Sequence, residues 1–151
     1  MPDQPVVHGH QHRFKGPDPI GIGQYEIKLF PDQAWAELYD IDGPVSAGTN
    51  LFEFMIPQDL HGSRLRYCDA YLSVVSAVPI KVTVRNVTQA HDLLETEITI
   101  DAGEYTSKTA SVPPVCHMGA SAECAWGDLI ALDVTAGGDG RGLGVVLEFS
   151  V

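Results

Sequence analysis

The sequence predicts an all-β protein, a two-sheet antiparallel β-sandwich of jelly-roll type with an extended N-terminal arm, and three observations lead there. Apolar residues recur with period two over most of the chain, as in strands with one buried face. Turn-forming residues separate those runs at short intervals. No segment carries an apolar stripe long enough for a core-facing helix; Gln89–Glu95 and Ala120–Ala125 are expected to hold one short turn each.

The arm comes first. Residues 1–23 contain Pro2, Pro5, Pro17, Pro19 and glycines 9, 16, 21 and 23 with few apolar side chains. Such a segment cannot bury enough surface to fold alone, and its prolines remove backbone donors, so it is expected to lie outside the sandwich and to gain order from neighbouring chains. Residues 24–151 are then the β-sandwich domain, and 151 residues suit one domain with a sizeable core.

The strands follow in order. Tyr25–Phe30 and Trp35–Ile41 flank a Pro31-Asp32 turn. Phe52, Phe54 and Ile56 alternate with Glu53 and Met55; Cys68, Ala70, Leu72 and Val74 alternate with Tyr67, Asp69, Tyr71 and Ser73. The pattern returns in Ile80, Val82 and Val84, in Ile98 and Ile100, in Ile130, Leu132 and Val134, and in Val145, Leu147, Phe149 and Val151. Turns are expected at Asp42-Gly43-Pro44, His61-Gly62-Ser63, Asp101-Ala102-Gly103, Pro113-Pro114 and Gly137–Gly140. The predicted core comprises Cys68, Leu72, Val74, Val82, Ile98, Ile100, Leu132, Val134, Leu147 and Phe149.

Composition narrows the function. A net charge of −11, with nine Lys and Arg against 20 Asp and Glu, argues against nucleic-acid binding, which depends on cations that neutralise phosphates. No apolar run approaches the roughly 20 residues of a membrane-spanning helix, and the N-terminus lacks the pattern of a secretory signal. Membrane insertion is therefore not expected, and synthesis in the cytoplasm is. Cys68, Cys116 and Cys124 are odd in number and are read as reduced thiols rather than as a Cys116–Cys124 disulfide or a metal site.

No catalytic motif emerges. The glycines at 137, 138, 140, 142 and 144 have neither dinucleotide nor P-loop spacing and fit a hairpin loop. Cys116 and His117 are adjacent and point to opposite faces of an extended segment, so a thiolate enzyme would need His61 or His91 brought in by the fold. Asp133 and Glu148, a conceivable acid/base pair, fall by alternation on the solvated face. Asn86-Val87-Thr88 matches the N-glycosylation pattern, a short motif that recurs by chance.

Two constellations remain as candidate sites. His8, His10 and His12 would line one edge of an extended arm at about 6.6–7 Å spacing. Three arms around a threefold axis would then offer rings of imidazoles to a divalent transition metal. Tyr67 and Tyr71, on the strand face opposite Cys68 and Leu72, are the candidate glycan-contacting aromatics.

His8–Ile20, with Lys15-Gly16-Pro17-Asp18-Pro19-Ile20, resembles the His-rich junctions that precede β-structured domains in tailed-bacteriophage fibre and appendage proteins. Leu51-Phe52-Glu53-Phe54, Arg64–Ala77, Ile98–Glu104 and Gly127–Val134 resemble, in that order, the small β-sandwich domains of the same setting. The resemblance implies a non-enzymatic virion component of fibre-tip or capsid-decoration type. It further implies a homotrimer that contacts capsid or tail proteins and a host surface glycan. The chain has no repetitive shaft, which favours a short head or tail appendage. A free carbohydrate-binding module is the alternative, and a cupin-like hydrolase is disfavoured because the histidines of the arm lie outside the folded body.

Overall fold

The computed structural model describes residues 22–28 and 44–150. The histidines His8, His10 and His12, the expected strand Trp35–Ile41 and most of the expected arm fall outside these residues. The described chain is all-β with antiparallel sheets, and its helical content is three short 3₁₀ turns, Gln58–Leu60, Ser107–Thr109 and Ala120–Ala122.

One sheet is built from β1 (Ile22–Lys28), β3 (Arg64–Tyr71) and β10 (Gly144–Ser150), in the order β1-β10-β3. β1 thus begins two residues before the boundary expected at residue 24 and pairs over its whole length with the closing strand, Ile22 opposite Ser150 and Lys28 opposite Gly144. A second sheet contains β2 (Gly48–Met55), β4 (Ile80–Asn86), β5 (His91–Asp92), β7 (Ile98–Ile100) and β9 (Leu129–Ala136). Its order is β2-β9-β4, and the free edge of β4 is shared by β7 at one end and β5 at the other. β6 (Leu94–Thr96) and β8 (Val115–Cys116) form a two-stranded ribbon, and β8 lies against β3.

The apolar faces of both main sheets meet in one core. Leu65, Cys68, Ala70, Val145, Leu147 and Phe149 come from the first sheet, and Ile80, Val82, Val84, Ile98, Ile100, Ile130, Leu132 and Val134 from the second. Phe54 of β2 meets Phe149 of β10 edge-on, with centroids 6.1 Å apart and planes at 77°, so an aromatic contact crosses from sheet to sheet. Burying a side chain the size of Phe149 contributes about 1.5–3 kcal/mol, and the whole set makes the period-two pattern the main determinant of the fold.

Nine of the ten predicted core residues are buried. Val74 is the exception, 48% exposed. The cause is that β3 ends at Tyr71; beyond Leu72 the chain leaves the sheet and Val74 makes only an isolated bridge to Arg141, so the alternation loses its phase. The short helical turn expected at Gln89–Glu95 is instead a reverse turn leading into β5 and β6, because Leu93 and Leu94 are drawn into the core and Leu93 N–H bonds Val84 C=O at 2.8 Å. Ala120–Ala125 does contain its short turn.

Asp133 corrects another expectation. It is buried rather than solvated, since β9 is the central strand of its sheet and neighbours on both sides close over it. Arg85 Nε of β4 donates to it at 2.5 Å, and from the other side β2 bulges so that the Asn50 N–H donates at 2.7 Å. Asn50 sits at φ 52°, a left-handed conformation that Asn tolerates better than most residues.

Candidate functional site

A cavity of about 320 Å³ against β3 combines titratable and nucleophilic groups. A bulge in that strand creates its floor. Leu65 pairs with Phe149 and Tyr67 with Glu148, which leaves Arg66 as an extra residue. Arg66 and Tyr67 therefore both face outward before Cys68 turns into the core. The 3₁₀ turn Ser107–Thr109 supplies Ser107 and Lys108, and the segment after it brings Pro113, Pro114 and Cys116 of β8 over the top.

Asp69 anchors this arrangement. Alternation would expose it, yet it is only 9% exposed because the Ser107 turn covers it. The Ser107 hydroxyl donates to Asp69, the Tyr67 hydroxyl donates at 3.3 Å, and Lys108 Nζ lies 3.9 Å away. The Ala70 N–H is shared between Asp69 Oδ1 and Ser107 Oγ, each at 2.9 Å. Burial, followed by the negative charge of Asp69 and its hydrogen bond, pushes the Tyr67 phenol above its ordinary value, so it stays neutral and remains a donor. These contacts hold Tyr67, 45% exposed as a residue, at the cavity wall.

The structure separates the two candidate aromatics. Tyr67 lines the cavity and Tyr71 does not. The Tyr71 ring lies over Gly144, its cross-strand partner, so closely that a Cβ at Gly144 would fall 2.2 Å from Tyr71 Cζ. Asp69, capped by Ser107, stands between them along the strand.

Cys68 and Cys116 are brought together at the same cavity, a juxtaposition that their separation in sequence did not reveal. The two thiols interact there. That interaction, opposed by burial and reinforced by the charge of Arg66, lowers Cys116 below the ordinary thiol value, while the same interaction and burial push Cys68 upward. Cys124 is held elsewhere: its thiol donates to the Ala122 carbonyl at 3.8 Å, and burial pushes it up to about 12. All three are free thiols.

Neither histidine that a thiolate enzyme would require reaches this cavity. His61 Nδ1 accepts from the Trp126 N–H at 3.1 Å, and His91 lies against Gln89 and Asp92. Asp133 and Glu148 sit on different sheets. Asn86 of the glycosylation pattern is fully buried and donates to Asp128 at 2.8 Å, which gives it a structural role. Among the described residues, no group of three or more His, Cys, Asp or Glu side chains is arranged to hold a metal ion, and no helix is long and apolar enough to cross a membrane.

Compared with protein-family models and with curated protein sequences, the chain gives no match.

Proposed function

We propose that this protein is a non-enzymatic structural component of a tailed-bacteriophage particle. In this reading it is a homotrimeric head decoration or tail appendage, built as a jelly-roll sandwich and docked to capsid or tail proteins through residues 1–23. The observation that carries the reading is the nesting of the strand pairs, β1 with β10, β2 with β9 and β4 with β7, while β8, paired with β6, packs beside β3. Successive strands β1 to β4 alternate between the two sheets, and β9 and β10 return alongside them. A long antiparallel hairpin wrapped into two sheets would have this order, which supports the jelly-roll reading, an arrangement that recurs in viral shells and lectins. Exposed Met55 and Trp126, each 63% accessible, supply apolar surface of the kind a trimer covers.

On this reading the protein is made in the host cytoplasm and resides in the virion. His8, His10 and His12 are the ligands proposed to hold a divalent metal on the threefold axis. The test is light scattering of the full chain at micromolar concentration. A particle of three times 16.3 kDa is expected, and a monomer at every concentration overturns the proposal. Removing residues 1–21 should leave a folded body that no longer joins the particle. Chelation, or alanine at all three histidines, should lower the melting temperature of the trimer.

The exposed Tyr67 ring beside the cavity favours a second reading, in which the domain binds a host-surface glycan, either within the particle or as a free carbohydrate-binding module. Glycan-array binding lost in Tyr67→Ala would support it, and an array without signal for the wild-type chain would refute it.

A further inference from the structure

We propose that Cys68 and Cys116 form a thiol–disulfide exchange site whose co-reactant is a small disulfide of the glutathione class entering the cavity against β3. The inference stands apart from the particle assignment, because it rests on two thiols, from β3 and from the β8 strand packed against it, that line the wall of one cavity.

The two sulfurs differ in access. Cys116 is half-buried and faces the cavity, whereas Cys68 is 5% exposed and backs onto the core. The cavity, about 320 Å³, is at the small end of ligand-sized sites, and the cations Arg66 and Lys108 on its wall match the carboxylates of a glutathione-like molecule. Cys116 carries the thiolate more readily, since its interaction with Cys68 and the charge of Arg66 hold it below the ordinary thiol value.

The exchange balances in two steps. The Cys116 thiolate attacks one sulfur of the small disulfide RSSR, forming a Cys116–S–S–R bond and releasing RS⁻. Cys68 then gives its proton to the departed RS⁻ and attacks Cys116 Sγ. The Cys68–Cys116 bond forms, the bond to R breaks, and the second RS⁻ takes a proton from water. The protein dithiol is oxidised by two electrons and RSSR is reduced to two RSH. No backbone rearrangement on the scale of a strand is required, because β8 already lies against β3. The product ties the first sheet to the β6–β8 ribbon and closes the loop between residues 68 and 116.

The experiment uses the full chain and oxidised glutathione. After equilibration, denaturation and reaction with a thiol reagent, the count of free thiols should fall from three to one. The intact mass should fall by two hydrogens, and the melting temperature should rise by roughly 10 °C. Cys116→Ser should abolish both the cross-link and any glutathione adduct, and Cys68→Ser should instead accumulate one glutathione on Cys116. Three unmodified thiols after equilibration overturn the proposal, as does a cross-link that persists in Cys116→Ser, which would place the bond on Cys124. If Cys68→Ser fails to fold, the thiol count in the wild type and in Cys116→Ser still decides.

Discussion

Asp128 offers the sharpest test of how this fold is held. Its carboxylate sits 5% exposed at the entry to β9, where a single oxygen, Oδ2, accepts from the Ala125 N–H at 2.8 Å, from Asn86 Nδ2 at 2.8 Å and from Gln89 Nε2. These contacts link the loop before β9 to the end of β4 and to the turn after it. Asp128→Ala removes all three acceptor contacts and takes from the Nδ2 donor of fully buried Asn86 its carboxylate acceptor. An unpaired buried donor costs about 1–3 kcal/mol and a hydrogen bond to a charged group contributes about 1.5–3 kcal/mol, so a net loss of roughly 3–4 kcal/mol is expected once the loop relaxes. Urea unfolding at neutral pH would read this as a lower midpoint with an unchanged slope. A loss below about 1 kcal/mol would falsify the account, because that is the worth of a single solvated hydrogen bond.

The same residue predicts a pH dependence. Burial pushes the Asp128 carboxyl upward, but the bonds from Ala125, Asn86 and Gln89, helped by His91, outweigh it and hold the group below its ordinary value of 3.8. A carboxyl depressed by folding contributes stability that is fully present above its unfolded value and is lost as pH falls through the folded one. The gap in stability between wild type and Asp128→Asn should therefore be widest above pH 3.8 and should narrow below it. A gap that stays constant on acidification would show that the charge is not what the site uses.

Two further substitutions test the sheets. Gly144→Ala should cost roughly 1–3 kcal/mol, because the new Cβ meets the Tyr71 ring, and should cost under about 0.5 kcal/mol in a Tyr71→Ala background; equal costs in thermal melts of both backgrounds would refute the contact. Arg85→Met should destabilise by roughly 2–4 kcal/mol by stranding the buried Asp133 carboxylate, with partial recovery in Arg85→Met/Asp133→Asn; a double variant as unstable as the two losses summed would refute the pairing.

How much of this was legible in the sequence follows from the range of each interaction. Side-chain alternation is a property of consecutive residues, so Val82 and Val84, Ile98 and Ile100, and Leu147 and Phe149 announced both their strands and their buried face. The turns at 61–63 and 101–103 were readable for the same reason, with Gly62 at φ 81° and Gly103 at φ 79° in the conformation that glycine alone adopts freely. The helical turn expected at Gln89–Glu95 failed where local signals are weakest. A short polar segment takes whatever conformation its neighbours impose, and here Leu93 and Leu94 were needed by the core.

What only the tertiary structure decided is which strands are central and which residues meet across them. Asp133 read as a solvated acid because alternation says which face a residue is on but not what covers that face; Arg85 and the bulge at Asn50, far away in sequence, cover it. Tyr67 could be read as outward-facing, but its tether to Asp69 and Ser107 depends on a turn that begins nearly forty residues later. The meeting of Cys68 with Cys116 has the same origin. Strand pairing is set by the burial of whole faces and by the nesting of the chain, so sulfurs 48 positions apart can share one cavity while Cys116 and Cys124, eight apart, go to different surroundings. Period and turn chemistry are local and are written in the residues themselves, whereas a site is a set of coincidences among distant segments that exists only once the sheets have closed on their core.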